Sequence, residues 1–77
     1  MQISMSCLEE GQWGRIRKLN VTAGLRRRLQ DFGLIEGTCV CCLRKSPKGD
    51  PAIYRVGRTM LALRTADSSR VFVEKLP

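Results

Sequence analysis

Three thiols crowd one short stretch of the chain, Cys39, Cys41 and Cys42, and the outer two form a Cys-x-x-Cys. Thiolates at that spacing invite a reading as ligands of zinc, iron or an iron–sulfur cluster. The stretch is apolar, however, and reads as extended. On a strand Cys39 and Cys41 point to one face and Cys42 to the other, so the three cannot converge on one ion without a bulge. No second cluster completes a four-thiolate site, because Cys7, the remaining cysteine, stands near the N-terminus and reads as a surface thiol. Small-hydrophobe filling of a strand is the preferred reading, with Cys39, Cys41 and Cys42 kept as second-choice metal ligands. Their crowding also makes a poor framework of disulfides, which points to free thiols in a reducing cytoplasm.

Other reactive chemistry is scarce. The chain contains no histidine, which removes Ser-His-Asp and Cys-His catalysis, imidazole metal ligands and a proton shuttle near neutral pH. Glu9-Glu10 is the one obvious carboxylate pair, and adjacent acids near a terminus are usually solvated. With 77 residues there is one small domain, spanning 1–77. A core of that size supplies ~3 to 5 kcal/mol of net stability and leaves little room for an elaborate buried active site. A non-enzymatic role follows. The longest apolar run, residues 39–43, is far too short to span a bilayer, and residues 1–11 have neither the basic nor the apolar part of a leader. No membrane insertion is expected.

Fourteen Lys and Arg against seven Asp and Glu give a formal charge of +7, which suits an anionic partner. Only Arg26-Arg27-Arg28 forms a cluster, and Trp13, Phe32, Tyr54 and Phe72 do not interleave with the arginines as in a single-strand binding surface. An oligonucleotide-binding barrel using Arg26, Arg27, Arg28, Arg44 and Arg58 is therefore the alternative reading. No specific nucleic acid is expected as partner.

The elements that must position these groups follow from periodicity and turn signals. Residues 12–19 read as a half-buried strand. Thr22 is a good N-cap, and Val21, Leu25, Leu29 and Phe32 recur on one face of a short helix. Gly33 stops it, with Leu34 and Leu29 as the touching pair of a Schellman motif. Around that helix Arg27 falls opposite the core face. Arg28 falls at its edge, where its stem covers the barrel and its head reaches a carboxylate, Asp50 being the candidate. Glu36-Gly37 then turns the chain into a strand over 38–45, apolar on both faces. Residues 46–51, Ser-Pro-Lys-Gly-Asp-Pro, make a protruding connection. That connection is either a recognition loop or a turn in which Asp50 caps backbone N–H groups. Strands over 52–56, 60–64 and 71–74 follow, with one helical turn over 65–70. One strand, a short helix and four more strands, in a chain too small for two sheets, predict a mainly β fold: a small, bent barrel of about five strands with one short α-helix after the first.

Arg28-Leu29, Phe32-Gly33-Leu34, Gly37-Thr38, Pro47-Lys48-Gly49-Asp50-Pro51 and Leu61-Ala62-Leu63-Arg64, in this order and spacing, resemble the FeoA domain over nearly the whole chain. The resemblance makes Arg28, Leu29, Gly33, Leu34, Gly37, Gly49, Pro51, Leu63 and Arg64 the structural motif, and implies an SH3-like barrel related to the C-terminal domain of DtxR-type repressors. It further implies a cytoplasmic accessory protein of ferrous-iron uptake. Its partner would be the cytosolic G-protein domain or membrane-proximal face of a FeoB-type transporter, and an association with ferrous iron would come through the family. Arg26, Arg27, Lys48 and Asp50 are the candidates for binding that partner. Caps, turns and alternating strands specify the barrel unaided, so no cofactor is required for folding.

Overall fold

Residues 52–56 alternate strictly, with Ala52, Tyr54 and Val56 buried and Ile53 and Arg55 exposed. That period of two assigns one face of a sheet to the core and the other to solvent. The computed structural model describes residues 1–48 and 50–77, so Gly49 of the motif lies outside the described residues. In chain order the elements are β1 (Gln2–Ser4), a 3-10 turn (Met5–Cys7), β2 (Trp13–Leu19), α1 (Ala23–Asp31), β3 (Cys39–Lys45), β4 (Ala52–Val56), β5 (Thr59–Leu63), α2 (Thr65–Ser68) and β6 (Val71–Lys75).

The strands form a single antiparallel sheet in the order β1-β6-β2-β3-β4-β5. The sheet is not closed, and β1 and β5 are its edges. Extents of 30 × 25 × 24 Å mean that it curls around its core rather than lying flat. Two register shifts, at Ile16/Lys18 in β2 and at Cys42/Arg44 in β3, are the bulges that add bend and twist. The structure has six strands rather than about five, because residues 2–4 pair with β6 and place a strand ahead of the others. Three residues are too few to show alternation, and their partner lies some seventy positions away, so β1 forms only in the folded tertiary structure.

The 3-10 turn after β1 brings Met5 and Leu8 into the core, where both are fully buried with Ile16, Leu34, Val40, Cys42, Val71 and Val73. Gly14 is required where it stands: a Cβ there would lie 2.8 Å from Val73 Cγ2, so β2 passes a buried side chain too closely for any other residue.

Candidate functional site

The helix is held by both of its ends. Thr22 Oγ1 accepts from the Leu25 N–H at 3.4 Å, the N-cap the sequence predicts. At the other end the Leu34 N–H donates to Leu29 O and the Gly33 N–H to Gln30 O, both at 2.9 Å, with Gly33 at φ +99°. This is the Schellman pair. It turns the chain so that Leu34 enters the core beside Leu29, while the Gly33 backbone lies against Val56. The helix is thereby fixed beside the β4–β5 hairpin with Leu25 and Leu29 facing the sheet.

Between α1 and β5 lies a cleft of about 420 Å³. Leu25, Leu29 and Phe32 form one wall and Leu61 and Leu63 the other, with Arg28, Arg64 and Asp67 at the mouth. Because β5 is an edge strand, the backbone groups on its outer side have no strand partner, so the cleft combines apolar walls, flanking cations and an open ladder. A smaller hollow of about 260 Å³ lies at the other side of α1, between Arg17, Lys18, Arg26, Gln30 and Glu36. There the Arg17 guanidinium bonds the Glu74 carboxylate at 2.6 Å. That hydrogen bond first, and the arginine's charge second, hold the Glu74 carboxyl below the usual glutamate range.

The cluster Arg26-Arg27-Arg28 is divided by the helix. Arg26 Nη2 donates to Leu19 O at 3.1 Å and ties α1 to the end of β2, while Arg27 is exposed to solvent, as expected. Arg28 does not meet Asp50, contrary to the sequence expectation; it is exposed at the mouth of the cleft. The reason is register: Ala52 pairs with Leu63, so Asp50 arrives beside Arg64 and Thr65 rather than beside α1. Asp50 Oδ1 accepts from the Thr65 N–H at 2.8 Å, and Oδ2 stands 3.9 Å from Arg64 Nη1. Of the two readings of the 46–51 connection, Asp50 fulfils the capping one. Lys48 is exposed, and Arg44 and Arg58 stand on β3 and on the β4–β5 turn, apart from the helix arginines.

The cysteines separate as the strand pleat requires. Cys39 pairs with Arg15 and Cys41 with Trp13 on the outward face, whereas Cys42 pairs with Tyr54 and is buried in the core. The bulge falls after Cys42 and does not draw the three together. Burial pushes the Cys42 thiol up, away from the thiolate a metal needs. Among the described residues no three Cys, Asp or Glu side chains form a group able to hold an ion. Cys7 is exposed, and all four cysteines are free. Glu10 is also committed, its Oε2 accepting from the Lys45 N–H at 2.7 Å. Sequence reasoning missed Leu61 and Asp67 as parts of the cleft. The inward alternation of Leu61 and Leu63 was a usable signal, but which element they would face was not.

The family model of the FeoA domain matches residues 3–75. The solution structure of the FeoA protein from Chlorobium tepidum is similar with a TM-score of 0.92 at 28% identity, covering 97% of this chain and 71% of that one. FeoA of Stenotrophomonas maltophilia, crystallised with zinc and described as a procaryotic SH3 domain protein that possibly activates ferrous iron transport, gives a TM-score of 0.77 at 29% identity over 96% of this chain and 89% of that one. A manganese-dependent transcriptional repressor shares the fold, with a TM-score of 0.85 at 10% identity, covering 97% of this chain and 42% of the repressor. No curated protein matches in sequence.

Proposed function

The chain belongs to the FeoA-domain family, linked to ferrous iron transport, and from that premise we propose that it is a non-enzymatic accessory which binds the cytosolic part of a FeoB-type transporter. The observation that supports a binding role is the cleft between α1 and β5. Its leucines and Phe32 offer apolar area to an extended partner segment, the free β5 edge offers backbone hydrogen bonds, and Arg28 and Arg64 offer charge to an acidic residue of that segment. A small protein built this way acts by occupying a partner, not by turning over a substrate.

This reading places the protein in the cytoplasm, where the nucleotide-binding part of such a transporter lies. Ferrous iron is the cargo of the system. The zinc in the Stenotrophomonas structure belongs to that protein, and no metal is assigned to this chain.

The test is binding of the full chain to the cytosolic domain of the cognate transporter, measured by calorimetry. Leu61→Ser and Arg28→Ala are expected to weaken the complex at least tenfold while the protein stays folded. Unchanged affinity in both folded variants would remove the cleft from the interface, and no binding by the unaltered protein would remove the transporter domain as partner.

A further inference from the structure

The outward face of the sheet, which meets the α1–β5 cleft only at Ala62, has a composition of its own. The register sets Trp13 of β2 opposite Cys41 of β3, Cys41 opposite Arg55 of β4, and Arg55 opposite Met60 of β5. Beside this row runs a second, Arg44 to Ile53 to Ala62. The bulge at Cys42/Arg44 leaves both Leu43 and Arg44 exposed. Across four strands, roughly 15 Å at the usual spacing, the solvent therefore meets large apolar side chains: Trp13 at 43% exposure, Leu43 at 36%, Ile53 at 38% and Met60 at 61%. Cys41 in their midst keeps only 4%, covered by its neighbours.

The charge on these strands has one sign. β2, β3, β4 and β5 contain six cations, Arg15, Arg17, Lys18, Arg44, Lys45 and Arg55, and no Asp or Glu. The nearest strand carboxylate, Glu74 on β6, is already held by Arg17. Arg44 and Arg55, the arginines within these two rows, have no ion-pair partner among the described residues, and the aliphatics and tryptophan exposed beside them match a layered surface, with negative charge outside and hydrocarbon beneath. Neither of the two hollows beside α1 is lined by Trp13, Leu43, Ile53, Met60, Arg44 or Arg55, so these side chains form a surface separate from the cleft.

We propose that the outer face of β2–β5 is a peripheral docking surface for an anionic lipid interface, on which Trp13, Leu43, Ile53 and Met60 settle among the headgroups and Arg44 and Arg55 meet the phosphates. The contact is interfacial, since no described helix is long and apolar enough to cross a membrane. None of these six side chains lines the α1–β5 cleft, so separate variants test the two surfaces and each can fail independently of the other.

Trp13 is the only tryptophan, so its fluorescence reports on this face alone. The full chain is titrated with phosphatidylcholine vesicles, with and without a minority of phosphatidylglycerol, at near-physiological salt. Co-sedimentation and a blue shift of Trp13 are expected with the anionic vesicles only. Arg55→Gln should weaken partitioning about fivefold and Arg44→Gln with Arg55→Gln about twenty-fivefold, as expected for arginines at an anionic surface. Both arginines are exposed, and a denaturant melt verifies each variant's fold; the single variant decides if the double one is unstable. Absence of binding, co-sedimentation with no Trp13 shift, or an equal shift with neutral vesicles each overturns the proposal. So does an equal shift with duplex DNA or an acidic protein at the same salt, which would give the face to that partner.

Discussion

Asp50 caps the amide of Thr65, fifteen residues later in the chain, with a 2.8 Å hydrogen bond. The local N-cap of α2 is Arg64, whose side chain makes no capping bond, so the acceptor this short helix needs is delivered from the β3–β4 connection instead. Asp50→Ala should cost about 1 kcal/mol, the usual loss for a side-chain cap. Arg64→Ala should cost less than about 0.5 kcal/mol, because its contact with Asp50 is long and solvent-exposed. Urea melts of the two variants distinguish cap from ion pair, and equal losses would assign the stabilisation to the pair.

Gly14→Ala is expected to destabilise by about 1 to 3 kcal/mol through overpacking. The added methyl would meet Val73 Cγ2 at 2.8 Å and Cβ at 3.0 Å, and Val73 is fully buried with nowhere to move. Thermal melts check this, and Val73→Ala in the same chain should recover part of the loss.

Arg27→Ala and Arg28→Ala should both change stability by less than about 0.5 kcal/mol, since both side chains are exposed and neither meets Asp50. They should differ in binding: Arg28 stands at the cleft and Arg27 on the far side of the helix. A calorimetric titration against the transporter domain that ranks Arg27→Ala as the more damaging would move the interface to the outer helix face.

The Arg17–Glu74 pair predicts a pH effect. Because Arg17 lowers the Glu74 carboxyl, the pair's contribution is present above the ordinary glutamate range, ~4.3, and is lost as pH falls through the lower folded-state value. The stability difference between the unaltered protein and Arg17→Ala should therefore be constant near neutrality and close under acid. A difference that grows on acidification would contradict this assignment.

Chelation should leave folding untouched. Cys42 lies in the core and Cys39 and Cys41 on the outer face, and the core is built from apolar side chains packed on one another. An unchanged cooperative melt in the presence of a strong chelator is the expected result, and loss of cooperativity would make ligands of Cys39, Cys41 and Cys42.

How far the sequence carried the structure depends on the range of each interaction. The span of α1, its Thr22 cap, the Gly33 stop with its Leu29–Leu34 contact, the strand at 52–56 and the divergence of the cysteines were all legible, because each is decided within a few residues by capping, a left-handed glycine or the pleat. The resemblance to the FeoA domain was legible too, since it rests on the order of such local signals. What only the tertiary structure decided was long-range. Gln2–Ser4 becomes a strand, and Met5 and Leu8 become core, because β6 returns beside the N-terminus. Asp50 belongs to Thr65 and not to Arg28 because Ala52 pairs with Leu63. The cleft exists because α1 packs beside an edge strand, and the apolar, cationic outer face because three registers bring Trp13, Arg55 and Met60 into one row. Register is a property of two strands together, and no window of a single strand contains it.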